Sequence, residues 1–134
     1  MKSHQRAHLW ATLKTIDKML ESHETRLANE SSAQHILSLI RATRNDISGF
    51  LHGFGIIEEQ PDRLSELLAS CLFIENYLVD LEPTRFQQAY GKFDSANDVR
   101  KLEFLLATLR EKIVELERVA KSKASKTQER RDPR

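Results

Sequence analysis

The sequence predicts an all-α fold: a four-helix up-down bundle with a short extra helical turn and a disordered basic C-terminal tail. Apolar residues recur at alternating steps of three and four in four separate stretches, a spacing that keeps one face of an α-helix apolar. Only four glycines and three prolines occur in 134 residues, which favours long helices over many short strands. A chain of this length has room for one domain. We assign that domain to residues 1–121 and the tail to residues 122–134.

The first two predicted helices are joined by a short polar connection. The first, at about residues 4–27, carries the stripe Leu9, Leu13, Ile16, Leu20, His23 and Leu27. The second carries Ile36, Ile40, Thr43, Ile47, Phe50 and Phe54. Ser31 or Ser32 can cap its start by accepting a bond from a free backbone N–H. Because Gly49 and Gly53 each cost roughly 1 kcal/mol inside a helix, the helix ends either near Ser48 or at Gly55.

The remaining helices are bounded by clearer signals. Pro61 starts the third helix, whose stripe is Leu64, Leu67, Cys71, Ile74, Leu78 and Leu81. The Glu82–Pro83 step ends it, and a short helical turn is predicted at 84–90. The last helix is expected over about residues 96–121, with Ser95 as its N-cap. Its stripe is Val99, Leu102, Leu106, Leu109, Ile113, Leu116 and Ala120.

These four stripes predict how the helices pack. None can be buried by one helix alone, and short connections make successive helices antiparallel, so an up-down bundle is the simplest arrangement. A pair of long hairpins that complete their core by dimerisation is the main alternative. Several apolar residues also lie off the stripes: Trp10, Met19, Leu37, Leu39, Leu51, Leu68, Leu72, Phe73, Leu105, Val114 and Val119. Some must widen the core face, and a surplus could cover a partner, including a second copy.

Charge is nearly balanced over the whole chain but not along it. The net charge is +1, whereas residues 121–134 have six basic residues against Glu129 and Asp132. A single cysteine implies no disulfide, and no apolar run reaches membrane-spanning length. We therefore expect a cytoplasmic protein without membrane contact. Lys121, at the end of the domain, and the tail residues Lys123, Lys126, Arg130 and Arg131 are the candidates for contact with nucleic acid phosphates.

The segment 48–57 is the most unusual in the sequence. It combines three glycines with five large apolar residues. One interpretation is a helix end that plugs the bundle, which we favour. The other is a docking surface in which Phe50, His52, Phe54 and Ile56 anchor a partner, because the glycines allow another backbone to approach closely.

Residues with metal-binding or nucleophilic chemistry do not form a recognisable site. His4 and His8 have a spacing that can hold a transition metal, but the Glu-x-x-His motifs of di-iron bundles do not occur. His23 and Cys71 fall on apolar stripes, which predicts core positions for both, with a hydrogen bond from His23 to a neighbour. No cofactor is expected.

Arg44, Asn45 and His52 resemble, in part, the motif of the HEPN family of all-helical ribonucleases. Seven residues separate Arg44 from His52, a longer spacing than the motif has. On a helix this spacing turns the histidine about 80° away from the arginine. Arg44 is therefore expected on a solvated face.

The sequence thus favours a non-enzymatic helical module, an adaptor, small regulator or inhibitor, that binds another protein through apolar helix faces. Its polar residues follow the outward faces of helices instead of converging as an enzyme requires. The first alternative is a nucleic-acid-associated regulatory protein that uses the basic tail. The second is a HEPN-like ribonuclease or a metal-binding bundle.

Overall fold

The computed structural model describes the backbone of residues 3–30, 33–53, 61–89 and 96–131, and the side chains of 6–30, 33–53, 63–88 and 97–118. Within these ranges the chain forms five α-helices and no strand. They are α1 (Ser3–Leu27), α2 (Gln34–His52), α3 (Pro61–Asp80), α4 (Pro83–Ala89) and α5 (Ala96–Arg131). The predicted all-α class is confirmed, and α4 is the predicted short extra turn.

The four long helices pack as two pairs of parallel helices, α1 with α3 and α2 with α5. His23 near the end of α1 lies against Leu81, which follows the end of α3, so these two helices run the same way. Ion pairs join α2 to α5 at His35–Glu103 and Arg110–Asp46, in parallel order. Successive long helices do alternate in direction, as predicted. However, α2 and α3 each pack mainly on α1 and α5, so they lie diagonally across the bundle.

The predicted stripes form the core. All the stripe residues of α1 are buried, and those of α3 are buried from Leu64 to Leu81. Thr43, the polar member of the α2 stripe, is fully buried and its hydroxyl donates to the carbonyl of Leu39 at 2.7 Å. Among the off-stripe residues Leu37, Leu68 and Leu105 are buried, whereas Trp10, Phe73 and Val114 are exposed. Those three exposed residues belong to the surplus that the core does not use.

Two predicted features of α2 need correction. Its N-cap is Ala33, which has no side-chain cap bond, and not Ser31 or Ser32, which lie outside the described residues. The backbone N–H of Ala33 instead closes a turn on the carbonyl of Glu30 at 3.0 Å. The helix ends at His52, between the two predicted limits, where the N–H of Gly53 bonds the carbonyl of Gly49 at 3.2 Å.

The last helix is longer than predicted. Its backbone continues to Arg131, so the expectation that regular structure stops at residue 121 is wrong. The apolar period does end near Ala120, but Ala, Lys, Gln, Glu and Arg have high helix propensity, and no Gly or Pro interrupts the chain before Pro133. Residues 132–134 lie outside the described part. At 36 residues, α5 is roughly 54 Å long, well beyond the other helices.

Candidate protein-binding surface

Two aromatic side chains stand out on the surface of the bundle. Phe73 on α3 is 58% exposed and Phe104 on α5 is 68% exposed. Large aromatic rings are usually at least half covered, and exposing one forfeits a substantial hydrophobic gain. Each ring points away from its helix's core stripe, since Ile74 and Leu105, the next residues along the chain, are buried. The core therefore gains little from either ring.

Phe73 and Phe104 lie at the same level along the groove between α3 and α5. Arg63 bonds Glu115 at 2.6 Å and the Tyr77 hydroxyl donates to the Asp98 carbonyl at 3.2 Å, so α3 and α5 run antiparallel. This register places Phe73 opposite the part of α5 around residue 103. Phe104 lies at that level. We call Phe73, Tyr77, Lys101 and Phe104 the aromatic surface.

Lys101 contacts two of the rings in the aromatic surface. Its ammonium nitrogen lies 4.8 Å from the centre of the Tyr77 ring and 5.9 Å from that of Phe73, which are cation–π distances. Burial, with a smaller effect of Asp98, raises the pKa of Tyr77 to about 12, so this phenol stays neutral. Phe104 follows Lys101 by three residues and about 60° around α5. The ammonium group of Lys101 thus lies over two rings of α3, and Phe104 lies on the neighbouring turn of α5.

The groove continues beyond the aromatic surface towards the start of α3. There it opens into a cleft between α3 and α5, lined by Arg63, Glu66, Lys112, Glu115 and Leu116. Only Leu116 in this lining is a core residue. The groove is therefore apolar and aromatic at one end and charged at the other.

The predicted docking segment is not what the structure exposes. Phe50 is fully buried in the core, so it cannot anchor a partner, and its proposed docking role is corrected. Phe50 belongs to the three-and-four stripe of α2, and its side chain therefore points into the core. His52 is exposed at the end of α2. Phe54 and Ile56 lie outside the described residues.

The HEPN-like residues are not brought together either. Arg44 donates to Asp17 at 2.9 Å, to Glu24 at 2.7 Å and to Glu21 at 3.1 Å, all on α1. Its side chain is only 26% exposed, so the expected solvated position is wrong. His52 follows Arg44 by eight positions, which amounts to about 12 Å along the axis of α2. Arg44 joins two helices and does not face the histidine.

The other chemically notable residues have structural surroundings. Cys71 is buried, and this burial, with a smaller effect of Glu75, raises the pKa of its thiol to about 12, so its core position is confirmed. His23 is also buried and hydrogen-bonded, as predicted. In the described part of the chain no three His, Cys, Asp or Glu side chains are grouped as metal ligands. His4 lies outside the described side chains.

The nucleic-acid candidates Lys121, Lys123, Lys126, Arg130 and Arg131 all lie on the C-terminal part of α5. Their side chains are outside the described set. None of the described helices has a stretch long and apolar enough to cross a membrane. Sequence reasoning named Phe73 only as a surplus apolar residue and did not single out Phe104. The available signal was the pairing of an off-stripe phenylalanine on each of two helices.

Comparison with known proteins adds no further information about this site. No family model, no curated protein and no solved structure matches the chain.

Proposed function

We propose that this protein is a non-enzymatic helical module that binds another protein through the aromatic surface on α3 and α5. The observation that carries the proposal is the pair Phe73 and Phe104, both more than half exposed and at the same level of the antiparallel helices α3 and α5. Paired exposed aromatic rings are typical anchors of protein interfaces. The core of the bundle is filled without them.

The surroundings of Phe73 suit a close protein contact. Between Glu66 and Val79, the exposed side chains of α3 are Ala69, Phe73 and Asn76. None of them is charged, and an interface core is poor in charged residues. A partner can therefore cover this side of α3 without desolvating an ion.

Site-specific photocrosslinking tests this proposal directly. A photoreactive phenylalanine analogue replaces Phe73 or Phe104, one at a time, in the full chain in its host cells. We expect both positions to give a covalent adduct with the same protein, identified by mass spectrometry. The cross-link requires contact, so it reports the surface and not mere co-purification.

Val79 provides the matched control position. It is 66% exposed, but lies six residues after Phe73 and so about 120° around α3. The analogue at Val79 should give no adduct with that protein. Equal labelling from all three positions, or none from Phe73 and Phe104, would contradict the proposal. Adducts between two copies of this chain would instead assign the surface to homodimerisation.

A further inference from the structure

We infer that the partner of the aromatic surface presents an amphipathic helix with acidic flanks, which lies lengthwise in the groove between α3 and α5. This inference rests on the proposed function and specifies the chemistry of the partner. It depends on the shape of the groove and on which charges along it lack a counter-ion.

The groove offers a continuous line of side chains on α5. Lys101, Phe104, Thr108 and Lys112 follow one another at steps of three, four and four, and none of them is buried. These residues span roughly 16 Å along the axis, about three helical turns. A partner helix with contacts at i, i+3 or i+4, i+7 and i+11 matches this length.

Two lysines on that line have no ion-pair partner in the described part of the chain. Among the described residues, no carboxylate oxygen lies within ion-pair distance of the amine of Lys101 or Lys112, whereas Arg63 is paired with Glu115 at 2.6 Å. Glu66 is the one acidic lining residue of the described cleft without such a pair. Lys101 and Lys112, one at each end of the line, therefore lack a paired carboxylate.

This charge pattern favours a different protein over a second copy. In a symmetric dimer, each groove would bring its own Lys101 and Lys112 to the same interface. Like charges brought together at an interface oppose association. Carboxylates flanking an apolar stripe would instead meet both lysines while leucine-type side chains cover Phe73 and Phe104.

Binding of two designed helical peptides to the full chain tests the inference. Both are 16-residue peptides with the same leucine stripe, flanked by glutamate in one and by lysine in the other. Titration calorimetry or fluorescence anisotropy should show that the glutamate peptide binds about tenfold tighter or more. The reason is that its carboxylates attract Lys101 and Lys112, whereas the charges of the lysine peptide repel them. This preference should shrink as salt is raised.

Charge-reversal variants locate the contact. The double variant Lys101→Glu with Lys112→Glu should lose the preference for the glutamate peptide. The matched control, Lys14→Glu with Lys18→Glu, makes the same change of net charge at exposed positions of α1 and should keep it. Equal binding of both peptides, no binding of either, or equal effects of the two double variants would overturn the inference.

The two proposals fail in different ways. If binding depends on Phe73 and Phe104 but not on peptide charge, only the acidic partner is wrong. If photocrosslinks from those two positions find no protein partner, and Phe104→Ser binds either peptide as well as the parent, the proposed function is wrong too.

Discussion

The ring nitrogen Nε2 of His23 lies 3.1 Å from the carbonyl oxygen of Leu81. Because a carbonyl only accepts, Nε2 must carry a proton and donate. A second proton, on Nδ1, would need an acceptor of its own. Nδ1 is buried and has no hydrogen-bond partner among the described residues. Phe86 of α4 closes over the ring edge to face, with centroids 5.3 Å apart. This histidine therefore links α1, the end of α3 and α4 in its neutral form.

The neutral form of His23 predicts a loss of stability in mild acid. Burial lowers the pKa of this histidine below 6.5, against smaller opposing effects of the Leu81 carbonyl and Glu82. The unfolded chain then binds more protons than the folded one between the folded pKa and 6.5, so stability rises with pH across that window. Urea midpoints measured from pH 5 to pH 7.5 should fall as the pH drops below about 6.5.

His23→Gln is the control for this effect. Its amide nitrogen can donate to the Leu81 carbonyl but does not titrate, so its urea midpoint should change less over the same pH range. Identical pH profiles of the parent and the variant would show that the pKa of His23 is the same in the folded and the unfolded chain, which would contradict the prediction.

The position of His23 illustrates what the sequence could predict. Its place in an apolar stripe was enough to predict burial and a hydrogen bond. The partner could not be predicted, because Leu81 is 58 positions away and only the parallel packing of α1 on α3 brings it there. The same limit explains why Phe86, on a helix of seven residues, was not recognised as a core residue.

Arg44 should contribute more to stability than an ordinary surface arginine. It donates to three carboxylates of α1, and bonding to Arg44 is the main reason that the pKa of Glu24 is lowered. We expect Arg44→Met to lower the free energy of unfolding by roughly 1–2 kcal/mol. Denaturant unfolding at pH 7 measures this value.

Arg63→Met serves as the comparison for Arg44. Arg63 and Glu115 are 45% and 53% exposed, and exposed pairs contribute about 0–1 kcal/mol. The loss caused by Arg44→Met should shrink in acid below pH 4.5, the ordinary pKa of Glu24, as its carboxylates become protonated. An equal loss of unfolding free energy in both variants would mean that the bonds from Arg44 to the three carboxylates of α1 contribute no more than one exposed ion pair.

Gly49 offers a stabilising substitution. It lies inside α2, and a Cβ added there meets no described atom within 4 Å. Alanine is preferred over glycine by about 1 kcal/mol in a helix interior, so Gly49→Ala should raise the free energy of unfolding by up to that amount. Calorimetric melting would show a higher midpoint. A lower midpoint would indicate that residues outside the described part pack against this position.

The stripes predicted each helix but not how the helices are arranged. An apolar face at α2 fits any neighbour, and the ion pairs that accompany the observed arrangement, such as Arg110–Asp46 at 2.6 Å, join residues 64 positions apart. The candidate surface was missed for a related reason. Phe50 and Phe104 are the same residue type on helices, and only the phase of each within its stripe separates core from surface.

That difference in phase predicts that the same substitution has a large effect on stability at Phe50 and a small one at Phe104. Phe50→Ala removes a fully buried ring and should cost roughly 3–5 kcal/mol of unfolding free energy. Phe104→Ala removes a largely exposed ring and should change it by no more than about 0.5 kcal/mol. Chemical denaturation of both variants decides the question. A large loss in Phe104→Ala would mean that the ring belongs to the fold and not to a binding surface.

The C-terminal part of α5 should be dispensable for the fold. The last described core residue is Leu116 and the apolar period of the sequence ends at Ala120, so the residues beyond it offer no apolar stripe to bury and should add little stability. A chain ending at Lys121 should therefore keep its unfolding free energy to within about 0.5 kcal/mol.

If the basic residues contact nucleic acid, this truncation should also remove the steeply salt-dependent part of that binding. Retained salt-dependent RNA or DNA binding would exclude the tail as the contact, and a large loss of stability would show that residues 122–134 pack on the bundle.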